Sequence, residues 1–134
     1  MSLFGWGEPK RFVSADALER NLKNQLAMTP RTLAELERLG AAPGSSLRVE
    51  YFFYSNTFQK ARRLARTLEA RGYSVRAEES AHDKKTYVVT GWTLPLLMSE
   101  SILLKWTEEM VRIGFEHDCD FDGWGTNPVQ DQGA

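Results

Sequence analysis

The sequence predicts an α+β domain of element order β-α-β-β-α-β, set behind a helical N-terminal extension. Three observations carry this expectation. Apolar residues recur at helical spacing as far as Leu39, and a breaker-rich stretch, Ala41-Ala42-Pro43-Gly44-Ser45-Ser46, follows. Beyond it, runs dense in β-branched and aromatic residues alternate with amphipathic helical stretches. A chain of 134 residues suffices for one domain with a real core and is too short for two typical ones.

The extension reads as two helices. Val13, Leu18, Leu22 and Leu26 recur near helical spacing behind Ser14, a plausible N-cap. Thr29-Pro30 then resembles a fresh start, a cap followed by proline at the first helical position. Leu33, Leu36 and Leu39 form the second stripe, and Gly40 is placed to stop it.

After the linker, Leu47 to Tyr54 reads as a central strand, since both of its faces carry apolar groups. Ser55-Asn56-Thr57 supplies capping oxygens to a helix burying Phe58, Ala61, Leu64, Ala65 and Leu68. Gly72 fits the left-handed position beyond its end. Tyr73 to Glu79 alternates like a half-buried strand, Ser80 to Lys84 connects, and Thr86 to Trp92 makes a third strand. Pro95 sits near the start of a long helix whose core face is Leu103, Trp106, Met110 and Ile113. Cys119 and Phe121 alternate with Asp118, Asp120 and Asp122 in a short last strand, which sends the aspartates to solvent. This order is the split βαβ arrangement of a ferredoxin-like sandwich. The expected boundaries are 1–46 for the helical extension, 47–128 for the ferredoxin-like domain and 129–134 for a flexible tail. Gly5-Trp6-Gly7 echoes Gly123-Trp124-Gly125, but three residues do not make a repeat.

Composition narrows the function classes. With 17 basic and 18 acidic residues the net charge is −1, so only a local patch could attract nucleic acid or an anionic membrane. No apolar stretch approaches a membrane span, and no charged segment leads into an apolar one as in a secretory leader. The single cysteine, Cys119, excludes an intrachain disulfide, and the cytoplasm is the expected compartment.

Thr32-Leu33-Ala34-Glu35-Leu36-Glu37-Arg38-Leu39-Gly40 resembles the helix preceding the sheet in the regulator of ribonuclease activity B family. Val49-Glu50-Tyr51-Phe52-Phe53-Tyr54, followed by a helix closing on Arg71-Gly72-Tyr73, resembles the same family. Phe121-Asp122-Gly123-Trp124-Gly125 is similar to the family's aspartate-glycine-tryptophan ending, and the likeness runs from residue 29 to 128. The resemblance implies a ferredoxin-like fold without catalytic activity. For the family's characterised branch it also implies binding to endoribonuclease E and inhibition of RNA processing through protein contact. That branch is strongly acidic, whereas this chain is nearly neutral and carries an arginine-rich helix.

The residues offer little reactive chemistry. Asp118-x-Asp120-x-Asp122-Gly123 matches the opening of a calcium loop, yet Val129 stands where the bidentate glutamate belongs. Strand alternation places His117 and Cys119 on one face and the aspartates on the other, so no metal is expected. Neither His82 nor His117 accompanies a nucleophile motif, and the glycines form no phosphate loop. The expected catalytic, metal and cofactor residues are therefore none.

Two surfaces remain. Glu50, Phe52, Tyr54, Asp120, Asp122 and Trp124 are the candidates for binding a protein partner. Trp124 reads either as an anchor or as a plug closing the sheet's end. Alternatively the N-terminal helices cover the sheet, which makes Phe52, Tyr54 and Trp92 core. The alternative surface, for RNA, is the basic face formed by Lys60, Arg62, Arg63 and Arg66 opposite the apolar stripe. The third strand lacks the signature of RNA-recognition domains, and carboxylates on the open sheet face would repel phosphate. The expected partner is thus a protein, by resemblance an endoribonuclease, bound by a monomer or weak homodimer.

Overall fold

A computed structural model describes residues 10–130. Residues 1–9, with the Gly5-Trp6-Gly7 echo, and 131–134 of the expected tail lie outside the described residues.

The predicted pair of N-terminal helices is one continuous helix, α1 (Ala15–Arg38), with Pro30 inside it. Proline lacks only its own N–H, which would have bonded the Leu26 carbonyl, so one lost bond is the local cost. The buried stripe runs through the junction without a break in Gln25, Thr29, Leu33 and Leu36, and tertiary burial outweighs the local stop signal. Ser14 caps the start by accepting from the Ala17 N–H at 3.0 Å, as expected. Gly40, at φ +113°, follows the end.

The strand expected over 47–54 is broken in two. β1 (Ser46–Leu47) is followed, after Arg48 and Val49, by β2 (Glu50–Ser55). Thr57 caps α2 (Phe58–Glu69) by accepting from the Lys60 N–H, and Gly72 takes the left-handed conformation at φ +88°. β3 (Ser74–Glu79) and β4 (Tyr87–Trp92) follow. Pro95 does not open the long helix. It leads instead into β5 (Leu96–Leu97), which pairs antiparallel with β1, and α3 (Glu100–Glu116) starts after Ser99. β6 (Asp120–Gly125) is the last regular element among the described residues.

The fold is α+β. A four-stranded antiparallel sheet of order β3-β4-β2-β6 has α2 and α3 on one face, the predicted split βαβ topology. The core fills that interface with Tyr51, Phe53, Val89 and Phe121 from the sheet and Leu64, Leu68, Leu103 and Met110 from the helices. Phe53 and Phe121 lie with ring centres 5.0 Å apart. Gly91 is required here: a Cβ would come within 1.9 Å of the Ser74 carbonyl oxygen and 2.7 Å of the Tyr51 hydroxyl. That hydroxyl donates to the same carbonyl at 2.6 Å.

α1 packs against α3, where the buried Thr29 and Thr107 hydroxyls approach to 3.0 Å, and reaches the sheet at its β6 edge. Asn21 and Gln25 donate to the Phe121 carbonyl there, which satisfies part of an edge strand. The alternative in which the N-terminal helices cover the far sheet face is thereby corrected. Phe58, expected in the buried stripe of α2, is 41% exposed, because the first position of the helix overhangs the end of the sheet. Gln130, assigned to the tail, donates to the Arg48 carbonyl at 3.0 Å.

Candidate functional site

Strand register decides which side chains share the uncovered face. Tyr51 and Phe53 point into the core, so Glu50, Phe52 and Tyr54 of β2 point away from it. Trp92, Thr90 and Val88 of β4 stand opposite them in that order. On the β6 side Tyr54 faces Asp120, while Phe52 and Glu50 face Gly123 and Gly125. A register shift between Phe52 and Phe53 makes Asp122 the extra residue of a bulge, and Gly123 adopts φ +128° beside it. Because both β6 neighbours are glycines, no directly paired side chain covers that flank of Phe52 or Glu50.

Phe52 and Tyr54 are half-buried and Trp92 is exposed, giving a row of aromatic surface among carboxylates. Burial raises the Asp120 carboxyl above its ordinary value, and the neighbouring Asp122 charge adds to the shift. Asn21 donates one hydrogen bond to Asp120 at 3.2 Å. Thr90 is buried by its neighbours on this face, and its hydroxyl has no hydrogen-bond partner among the described residues. Strand alternation alone did not reveal Thr90 as a member of the face; its pairing with Phe52 did.

Trp124 stands apart from the other five candidates. It pairs with Tyr51, so it lies on the helix side of the sheet, half-buried, with its ring edge-on to Trp106 at 6.2 Å. That is the position of a plug.

Asp118 and Lys60 differ from expectation. Asp118 does not alternate outward in a strand; it follows α3 in the left-handed conformation, φ +57°, and is buried. Its carboxylate accepts from the Phe12 N–H at 2.9 and 2.8 Å, from the Val13 N–H at 2.8 Å and from Lys60 Nζ at 2.6 Å. Burial alone would raise its pKa, but Lys60 and the two backbone donors hold the carboxyl below its ordinary value. Lys60, expected on the open basic face, turns inward to this pair and donates also to Asn56 Oδ1 at 2.9 Å and the Lys10 carbonyl at 3.1 Å. Arg11 lies over the Phe115 ring at 4.3 Å and donates to the Phe115 carbonyl. The result is a clasp that fastens residues 10–13 to the sheet domain.

The neighbouring groups are structural in geometry. His117 belongs to the end of α3, not to a strand, with Nδ1 2.8 Å from the Ile113 carbonyl and Nε2 3.0 Å from Thr67. Burial pushes the Cys119 thiol up to about 11, which keeps it protonated near neutrality. Ser55 donates to the Asp118 carbonyl at 2.6 Å. His82 sits in the turn after β3, its N–H bonded to Ser80. Among the described residues no three His, Cys, Asp or Glu side chains are grouped to hold a metal ion.

Arg62, Arg63 and Arg66 do share one exposed face of α2, where with Gln59 they line an open groove. None of the three is in an ion pair among the described residues.

No helix among the described residues is long and apolar enough to cross a membrane. No curated protein matches the chain. The family described as Regulator of ribonuclease activity B matches residues 26–126, which takes in the second half of α1 and every later element. A match over most of the length, on a sheet and helices of the order that family implies, shows that this chain belongs to the regulator of ribonuclease activity B family.

Proposed function

We propose that this regulator acts without chemistry of its own, by seating a segment of a ribonuclease partner on its uncovered sheet face. The observation that supports the reading is the face itself, a sheet surface opposite α2 and α3 that presents Phe52, Tyr54 and Trp92 among Glu50, Asp120 and Asp122. Aromatic side chains are the usual anchors of protein interfaces, because each buries a large area at low entropic cost. The carboxylates around them disfavour a phosphate backbone and favour a partner segment that carries positive charge. Occupation of that segment withholds it from RNA, which would lower processing without any reaction on this chain. Within that reading the ribonuclease is one of the endoribonuclease E type, as the resemblance of the motifs implies, and the cytoplasm is where the two would meet.

The test is an affinity and inhibition measurement with purified endoribonuclease E. Phe52→Ala with Tyr54→Ala should weaken binding by roughly thirtyfold or more, since each anchor truncation costs about 2 kcal/mol. Circular dichroism should remain that of the parent chain. Unchanged affinity in a folded double variant would remove the sheet face from the interaction.

A further inference from the structure

The basic face of α2 is not absorbed by that reading. It lies on the other side of the molecule, since α2 packs its apolar stripe on the sheet face opposite the aromatic row. We propose that α2 carries a second docking surface, for single-stranded nucleic acid, in which Phe58 stacks a base and Arg62, Arg63 and Arg66 hold the adjoining phosphates.

The charge on this face is uncompensated. Elsewhere Arg38 pairs with Glu35, Arg112 with Glu108, Lys60 with Asp118 and Arg71 with Glu109. Arg62, Arg63 and Arg66 have no such partner among the described residues, although the chain as a whole is slightly acidic. The sheet face is mixed by comparison, since Arg76, opposite Thr90, stands there with the carboxylates. Arg62 and Arg66 stand one helical turn apart, about 6 Å along the axis, a spacing suited to successive phosphates of an extended strand. Their forked donors match phosphate oxygens two at a time.

An independent observation selects nucleic acid over an acidic peptide. Phe58 is exposed at the start of the same helix, its ring held by Tyr87 at 5.7 Å and bordered by the Arg62 guanidinium at 5.9 Å. An acidic peptide needs the arginines and has no use for that ring. A base needs both, because single strands bind by stacking on aromatics beside a cationic track. A duplex would hide its bases and leave Phe58 idle.

Fluorescence anisotropy with a labelled twelve-nucleotide RNA of mixed sequence tests this, beside the matching DNA strand, the duplex and a polyglutamate peptide. Binding of the single strands should weaken with salt, with a log–log slope of about −2 for three phosphate contacts. RNA and DNA share the chemistry invoked, and a preference for RNA would add a contact to the 2′-hydroxyl. Arg62→Glu with Arg66→Glu should abolish binding. Arg112→Glu, a charge reversal on the exposed side of α3, should not. Phe58→Ala should weaken the single strand about tenfold while leaving the salt slope unchanged. The proposal falls if no strand binds at low salt, if polyglutamate or duplex binds as well as the single strand, or if Phe58→Ala has no effect. Retained affinity of the arginine variant for endoribonuclease E would keep this failure separate from that of the sheet face.

Discussion

Asp118 and Asp120 stand two residues apart, either side of Cys119, and their surroundings are opposites. Asp118 is buried against a lysine and two backbone donors, and its carboxyl is held low. Asp120 is half-buried at the sheet edge, accepts from Asn21, and is pushed up by burial and by Asp122. A strand pattern treats the two as equivalent outward positions. They differ because α3 ends in a left-handed turn at Asp118, which aims that side chain back at α2 and the N-terminal segment before the strand has begun. The closed carboxylate holds the structure together, whereas the open one is stored at a mild electrostatic disadvantage that an incoming positive charge would relieve. The buried Asp118 charge serves architecture, whereas Asp120 is in no ion pair among the described residues.

The contrast is open to attack in order of effect size. Asp118→Ala should lower stability by about 3 kcal/mol, because it leaves the Lys60 ammonium and two N–H groups buried without an acceptor. Urea unfolding measures it. Lys60→Met should cost a similar amount, and the double variant clearly less than the sum; simple additivity would mean the pair is not coupled. Trp124→Ala should cost about 2 kcal/mol through lost packing on Trp106. Its affinity for endoribonuclease E, measured below its unfolding transition, should stay within about twofold of the parent, since ±0.5 kcal/mol is the scale of a neutral change. A large loss of affinity in folded protein would return Trp124 to the interface.

Acid titration separates the two aspartates directly. The folded Asp118 carboxyl sits below its unfolded value of about 4, so its contribution is complete above that pH and is lost as pH falls through the folded value. Asp118→Asn should flatten that acid limb of the stability curve. Asp120 has the reverse sign: its folded value is raised, so ionisation opposes folding above it. Asp120→Asn should therefore raise stability at neutral pH by about 0.5 kcal/mol or less, with the gain vanishing as pH falls below the raised value. A loss at neutral pH would mean that the Asn21 hydrogen bond outweighs the charge.

Several elements were legible because their signals are local. Ser14 and Thr57 cap helices through their own side chains, and Gly72 takes the backbone conformation that other residues avoid. The alternation of β2 puts Tyr51 and Phe53 on one face and Phe52 and Tyr54 on the other whatever the strand pairs with, although which face is covered was left to the packing of the helices. The order of the four strands of the main sheet and of the two helices packed on it followed from these periods, as did the exposed trio Arg62, Arg63 and Arg66.

What the sequence could not decide was settled by contacts distant along the chain. Thr29-Pro30 is a legitimate helix start in isolation, and only packing on α3 carries α1 through it. Lys60 reads as one more base on a basic face until the turn after α3 brings Asp118 within 2.6 Å. Trp124 reads as a neighbour of Asp122 until a bulge in β6 turns it to Trp106. Local backbone preference is worth a few tenths to a few kcal/mol per residue, and burying a large side chain, or pairing a charge once it is buried, is worth as much or more. Where both act on one residue the distant partner prevails, and its identity is a property of the fold.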